Sequence, residues 1–351
     1  MKPTRSALAI ALTAALISLP GCAAGQSATT SLSVPFNAPA LEQAYISMVA
    51  KVLPSVVQIT TDRSLGSGVV FDNKGNIVTN AHVVGPATSF QVRLADSPKT
   101  IPATLVGTYP PDDLAVIKLD QPPPSLHPAH FDDSTKLQVG QIVMAMGNPL
   151  GLTGSVTNGI VSATGRTVTE PATDGPAATL PEIIQTSAAV NPGNSGGALV
   201  DLAGEVVGIP TLAALEPAQG GLGGSAAPGI GFAIPSNLVT DIAGQLIAHN
   251  GHVVNSHRAE LGIGAVTVVG ADGQPSGSGV LRVNPGGPAA AAGIQIGEVI
   301  TAVNNTPVHS TSELAQILAN LDPGQRVPVT VIAPDGGTRT VTVTLGQLSG
   351  S

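Results

Sequence analysis

The chain has a single cysteine, no tryptophan, and only five Phe and two Tyr in 351 residues. One thiol excludes a disulfide within the chain, so any folded domain must be held by its apolar core alone. Charged side chains make up only 10% of the sequence, and no Lys/Arg cluster interrupts the formal net charge of −8. That balance repels phosphate backbones and excludes nucleic acid as an expected partner. What is abundant is apolar and small: 42% hydrophobic residues, 42 Gly and 30 Pro. This is enough for real cores, and Gly plus Pro stays below the share of about 25–30% that marks low complexity. The length allows about two domains of ordinary size.

The N-terminus reads as a targeting segment. Lys2 and Arg5 precede an apolar run from Ala7 to Leu19 that ends at Pro20-Gly21-Cys22. The run is shorter than the roughly 20 residues of a membrane-spanning helix, so residues 1–21 are expected to be a secretory signal. Leu19-Pro20-Gly21-Cys22 resembles a bacterial lipobox, in which the signal is cut before a Cys that receives lipid. Pro20 departs from the usual small residue there. The expectation is an exported protein lipid-anchored through Cys22 at the cell envelope, with residues 22–40, rich in Ser, Thr, Ala and Pro, as a tether.

Leu41, Tyr45, Met48, Val49, Val52 and Leu53 share one helical face before Pro54. Short Val/Ile/Thr-rich runs then recur between turns: Val56–Thr60, Gly66–Phe71, Ile77–Asn80, Gln91–Leu94, Ala103–Gly107 and Leu114–Leu119. A Pro-rich break, Asp120 to Pro128, separates them from Val139–Met146, Gly159–Ala163, Ile183–Gln185, Ala198–Val200 and Val206–Ile209. Such spacing predicts β-barrels or sandwiches, here two units of similar size. Ser236 is expected to cap a helix through Leu238, Val239, Ile242 and Leu246 that ends at Gly251. A polar joint, His249 to Arg258, leads to a third unit with strands near Leu261–Val269, Gly279–Val283, Glu298–Val303 and Val327–Ile332. Its helix opens on the capping box Ser310-x-x-Glu313 and buries Leu314, Ile317 and Leu318.

The stretch "VNPGNSGGAL", residues 190–199, crowds glycines around Ser195. Upstream, "IVTNAHVV" places His82 at the end of a β run and "DDLAVIKL" places Asp113 at the start of another. The order His, Asp, Ser is that of a chymotrypsin-type triad, with His82 and Asp113 in the first β unit and Ser195 in the second. Asp112, one residue away, is expected to point to the opposite face of a strand. The backbone N–H groups of Gly193 and Ser195, with Asn194 between them, are candidates for an oxyanion hole. Pro192 has no N–H to offer. This chemistry calls for no cofactor and no metal. His249, His252 and His257 lie close in sequence, but Gly251 interrupts them and no carboxylate or Cys is arranged with them.

With "TNAHVV", "DDLAVIKL", "MGNPLG", "GIVSATGR", "NPGNSGGAL" and "GIGFAIPSN" in this order, the chain resembles the HtrA (Deg) family of exported trypsin-like serine proteases with PDZ domains. The resemblance runs from about Pro54 to Leu345 and implies a mainly β, chymotrypsin-like double β-barrel over residues 41–248. A linker at 249–258 and a single PDZ domain at 259–347 follow. It also implies a primary specificity wall at Ile230, Gly231, Phe232 and Ala233 that admits a small aliphatic side chain. The Gly/Ala-rich stretch from Thr211 to Gly229 resembles an active-site loop, and Arg166–Leu180 resembles the loop that senses the PDZ domain.

Glu260-Leu261-Gly262-Ile263 resembles the PDZ carboxylate loop, with Leu261, Gly262 and Ile263 donating to a peptide C-terminus and the Thr311–Asn320 helix as the other wall of the groove. Two features depart from the pattern: a short Gly264–Gly279 segment, and the negative Glu260 beside the proposed carboxylate site. The implied function is an envelope endoprotease that cleaves misfolded or unfolded exported proteins, regulated through the PDZ domain and assembled as a homotrimer. The short Thr61–Leu65 connection offers no long loop for a larger cage. The alternatives are a PDZ-dependent holdase, or a signalling binder whose protease site rests in an inactive form.

Overall fold

The computed structural model describes residues 38–62, 64–148, 154–169, 179–191, 193–215, 226–271 and 273–348. The signal segment, Cys22, most of the tether, Pro192, and the middles of the two loops read as active-site and sensing loops lie outside these residues. Among the described residues no helix is long and apolar enough to cross a membrane.

Helix α1 (Ala38–Val52) buries Met48 and Val52 and stops where Leu53–Ser55 tightens into a 3-10 turn containing Pro54, because Pro cannot supply the next helical N–H. Six strands then close into a barrel: β1 (Val56–Thr60), β2 (Leu65–Val70), β3 (Asn76–Thr79), β4 (Ser89–Arg93), β5 (Thr100–Tyr109) and β6 (Leu114–Leu119), with a one-turn helix α2 (Ala81–Val84) after β3. Its interior holds Val57, Ile59, Val70, Ile77, Phe90, Val92, Ile117 and Leu119. Strands β7 (Ile142–Gly147), β8 (Ser155–Thr169), β9 (Thr179–Thr186), β10 (Ala198–Asp201), β11 (Val206–Leu215) and β12 (Ala226–Pro235) close a second barrel of the same size.

Between the barrels lies a shared core. Val56, Val69, Val78 and Val116 of the first meet Met144, Met146, Val200 and Ile209 of the second, sealed by Met48 and Val52 of α1 and by Val239, Ile242 and Leu246 of helix α3 (Ser236–Ala248). Burying this apolar area from two barrels and two helices fixes the barrels against each other, which any site built from both requires.

Several elements differ from expectation. Ser236 is the first residue of α3 rather than its cap; Pro235 holds the cap position, and the Ser236 hydroxyl donates to the Asp132 carbonyl, tying the helix to the connection between the barrels. The Thr211–Gly229 stretch is strand at both ends, since β11 runs to Leu215 and β12 starts at Ala226. The 249–258 joint is packed at its end, with Val253, Ser256 and Arg258 buried. After α3 the chain turns back onto β5 at Gly251 (φ 90°). A Cβ on Gly107 would stand 2.4 Å from the Gly251 Cα, so this approach requires glycine on both sides.

The third unit begins at β13 (Ala259–Glu260), which pairs with β20 (Gly346–Gln347). Its main sheet runs β14 (Ile263–Val269), β15 (Pro275–Val283), β16 (Val299–Val303), β18 (Arg326–Ile332), β19 (Thr338–Thr344), with β17 (Thr306–Pro307) paired to β16. Helix α4 (Pro288–Ala291) and helix α5 (Thr311–Ala319) cover it. The Ser310 hydroxyl accepts from the Glu313 N–H at 3.1 Å, one half of the capping box. The other half is displaced by one residue, since the Glu313 carboxylate accepts from the His309 N–H at 2.7 Å. Leu314 is buried, whereas Ile317 and Leu318 are half-buried against the core. Leu318 lines the groove described below.

Candidate active site

Asn80, extended (φ −80°, ψ 149°), ends β3 and starts α2. His82 therefore sits on a one-turn helix and not at a strand end. Asp113 is not on a strand either. The residues Pro110–Asp112 form a 3-10 turn that Asp113 closes in the left-handed conformation, φ 51° and ψ 40°, its N–H bonded to the Pro110 carbonyl at 3.0 Å. This turn, and not strand alternation, sends Asp112 and Asp113 opposite ways. Asp113 faces the cleft between the barrels. Its carboxylate accepts from the His82 backbone N–H at 2.9 Å and meets the His82 Nδ1 at 2.8 Å. A buried carboxylate accepting at Nδ1 places the imidazole proton there and leaves Nε2 as the basic nitrogen.

A third donor, unseen in the sequence, completes the set: the Thr211 hydroxyl lies 2.5 Å from Asp113 Oδ2. The Thr211 carbonyl in turn accepts from Ser195 Oγ at 3.3 Å. One residue of β11 thus touches both the carboxylate and the nucleophile. Thr211→Val keeps the branched shape and removes the donor. A hydrogen bond to a charged group contributes about 1.5–3 kcal/mol, so kcat is expected to fall by about 10- to 100-fold with KM unchanged. Steady-state kinetics on a peptide substrate check it.

The loop around Ser195 is anchored to the first barrel by Ser67 of β2, also missed. The Ser67 N–H donates to the Ser195 carbonyl at 3.1 Å, and its hydroxyl donates to the Gly193 carbonyl at 2.6 Å while accepting from the Asn148 N–H at 2.7 Å. Gly193 has φ 105°, open to glycine and strained for other residues. The Asn194 N–H is committed to the Asn191 carbonyl at 3.0 Å, and its side chain donates to the Ala189 carbonyl at 3.3 Å. Asn194 therefore shapes the loop and is not an oxyanion donor, a correction to its place in that set.

Of the four residues read as a specificity wall, Phe232 packs with Leu180 and Ile183 on one face of the strand, and Ala233 with Val143 and Val161 on the other. Ile230 is exposed. A Cβ on Gly231 would lie 2.6 Å from Val190 Cγ2, so Val190, from the nucleophile loop, fills the space over this strand. Gly231 and Val190 are thus in close contact beside the exposed Ile230.

In the third unit a cavity of about 490 Å³ lies between Glu260–Ile263 and α5, lined also by Arg258 and by Thr179 of β9. Leu261 is buried, and its carbonyl accepts from the Ala289 N–H at 2.9 Å; Gly262, φ 68°, is held by the Asn284 N–H at 2.9 Å. Burial raises the Glu260 carboxyl above the usual range. Helix α5 also reaches the first part of the chain, where the Thr167 hydroxyl donates to the Asn320 side chain at 3.2 Å. Away from both clefts, Asp132, Asp201 and Glu205 bring carboxylate oxygens within 4.8 Å of one another. Of the three linker histidines, His257 stands 3.6 Å from Asp241.

Two closed six-stranded barrels with a histidine, a carboxylate and a serine at their junction, followed by a sheet-and-helix unit with a peptide-sized groove, define a chymotrypsin-like peptidase joined to a PDZ domain. A trypsin-like peptidase domain family matches residues 66–209, and a PDZ domain family matches residues 279–332. The chain is 38% identical over 313 residues to the serine protease PepD of Mycobacterium tuberculosis, covering 86% of this chain and 65% of that one. It is 40% identical over 294 residues to the periplasmic serine endoprotease DegP of Escherichia coli, covering 82% and 58%. It thus spans less than two thirds of these relatives. The crystal structure of the serine endoprotease from Yersinia pestis superposes with a TM-score of 0.57 at 35% identity, covering 87% of this chain and 98% of that one. The HtrA-type protease AlgW with a decapeptide superposes equally well, at TM-score 0.57 and 30% identity. The chain belongs to the HtrA family of trypsin-like serine proteases with a PDZ domain.

Proposed function

We propose that this chain is a serine endopeptidase of the bacterial cell envelope that cleaves unfolded exported proteins through an acyl-enzyme. The observation that carries this reading is the convergence of Asp113, His82 and Ser195 across the barrel junction, bridged by Thr211. In this mechanism Ser195 Oγ attacks the substrate carbonyl carbon as His82 Nε2 takes its proton, and Asp113 stabilises the resulting imidazolium. The oxyanion is received by the Gly193 and Ser195 N–H groups. His82 then protonates the leaving amine, and a water, deprotonated by the same Nε2, releases the acyl group. Small aliphatic side chains suit a pocket bounded by Ile230, Gly231 and Val190. The periplasmic relatives support export; lipid attachment at Cys22 and a homotrimer belong to the same proposal. The experiment that tests it is hydrolysis of an unfolded protein such as casein by the full chain and by its Ser195→Ala variant.

One observation favours the resting-site alternative: the Ser195 hydroxyl is turned to the Thr211 carbonyl, and attack requires it to rotate toward His82. Reactivity of Ser195 with a fluorophosphonate, with and without a groove ligand, separates a resting site from a working one.

The groove between Leu261–Ile263 and α5 is proposed to take a peptide C-terminus and regulate cleavage. Glu260 then makes binding pH-dependent. A peptide carboxyl titrates near about 3.5, below Glu260, whose carboxyl is raised by burial. As pH falls from neutral, Glu260 neutralises first and repulsion fades while the ligand stays anionic, so affinity climbs, then drops once the ligand itself protonates. Glu260→Gln is expected to bind several-fold tighter at neutral pH and to lose the rise. Anisotropy titrations of a labelled peptide check this; a wild-type affinity flat across the acidic range contradicts it.

A further inference from the structure

Asp112, the neighbour of Asp113, is fully buried, and its Oδ1 lies 2.5 Å from Nη1 of Arg258. The same Nη1 donates to the Pro111 carbonyl at 2.7 Å. Arg258 is the last residue before β13, three positions ahead of Leu261 in the groove loop, and its own carbonyl accepts from the Leu348 N–H at 2.7 Å. We infer that Arg258 is a positioning residue for Asp113: it grips the Pro110–Asp112 turn from the PDZ side, so the geometry of the His82–Asp113 pair depends on where the start of the PDZ domain lies.

The turn needs such a grip. Asp113 is held at positive φ, a conformation that a non-glycine residue keeps only where its surroundings impose it. On the cleft side the Asp113 carbonyl accepts from the Ala81 N–H and from Asn80 Nδ2, each at 3.0 Å. On the far side Arg258 brackets the last peptide of the turn by taking the carbonyl before Asp112 and the carboxylate of Asp112 itself. Among the described residues Asp112 Oδ2 has no hydrogen-bond partner, so the arginine is the charge that keeps this carboxylate in place. Burial pushes the Asp112 carboxyl up and Arg258 opposes it. Withdrawing the guanidinium leaves a buried carboxylate that must protonate or pull the turn toward water. Either response moves Asp113, and a misplacement of about 1 Å can reduce a rate by about 10²-fold.

The inference rests on the Ser195–His82–Asp113 reading, and the test separates the two. Full-chain Arg258→Gln and Arg258→Lys are compared with wild type for thermal melting, kcat, KM and the pH profile of kcat/KM, with Ser195→Ala alongside. Arg258→Gln is expected to lower kcat by about 10- to 100-fold with KM within about twofold. The acid limb, which reports His82, moves to lower pH because a displaced Asp113 stabilises the imidazolium less. The charged group bonded to His82 is the Asp113 carboxylate, which the neutral Thr211 hydroxyl also approaches; those around Asp112 are Arg258 and Tyr109, with Glu260 beyond. Arg258→Lys keeps the buried charges paired and changes kcat and the limb in the same direction by less. If Arg258→Gln melts below the assay temperature, the lysine variant decides. A folded variant with kcat and acid limb unchanged overturns the inference, as does a loss of kcat with the limb unmoved. Activity retained by Ser195→Ala overturns the triad reading instead.

Discussion

Ser195→Ala, His82→Ala and the double variant are expected to lose turnover to the same extent, about 10⁶-fold in kcat, with KM little changed. The equality is the informative part. The Ser195 hydroxyl has no use as a nucleophile without a base at His82 Nε2, and that base has no task without the hydroxyl. Once either is gone, removing the other takes away nothing further. What survives is the contribution of the N–H groups of Gly193 and Ser195 and of substrate binding, expected at about 10³–10⁴-fold over uncatalysed hydrolysis. Single-turnover rates on a chromogenic peptide measure all three variants. A double variant much slower than either single one would mean that the two side chains act in separate steps.

Gly196→Ala is expected to be nearly as damaging to activity, and by a different route. Gly196 has φ 78°, and a Cβ there would lie 2.2 Å from the Ser67 carbonyl oxygen and 2.3 Å from the Thr79 hydroxyl. Neither can retreat: the Thr79 hydroxyl donates to that same carbonyl at 2.7 Å, and Ser67 is bonded to the nucleophile loop on its other side. The left-handed backbone contributes about 1–2 kcal/mol of strain and the overpacking about 1–3 kcal/mol. Denaturant midpoints should therefore show a loss of about 2–5 kcal/mol, together with kcat lowered by the displacement of Ser195. Gly140→Ala is the control: φ is 94° but nothing stands within 4 Å of the added Cβ, so only the backbone term of about 1–2 kcal/mol applies. Equal losses in the two variants would show that the Ser67–Gly196 contact is not tight in solution.

What could be read from the sequence is what leaves a local mark. The apolar runs of both barrels lead to the right strands, and the glycines around Ser195 and the order of His82, Asp113 and Ser195 are likewise local patterns. Thr211 and Ser67 leave no such mark. Thr211 reaches Asp113 across 98 residues and Ser67 reaches Gly193 across 126, contacts that exist only once the barrels have packed. Strand alternation favours Asp113 over Asp112, yet the separation of the two arises from a left-handed residue after a 3-10 turn. Phe232 and Ala233 share a strand with Ile230, and apolar residues in one run do not reveal which face the core takes. Strand β19 is not legible in the sequence, because its alternating threonines, TRTVTVT, look like a polar surface segment.

With both barrels closed, the main PDZ sheet ends, among the described residues, on the edge strands β14 on one side and β19 on the other. The two edges are unequally guarded. Strand β19 carries the charge of Arg339, which discourages pairing with a foreign strand, whereas β14 reads IGAVTVV, without a charge, and exposes Val266 and Val269. A strand of this kind will accept any extended backbone, including that of another copy caught partly unfolded during synthesis or heat. Aggregation of the protein should therefore nucleate at β14, and the groove that could serve for recognition is also where its colloidal stability is weakest.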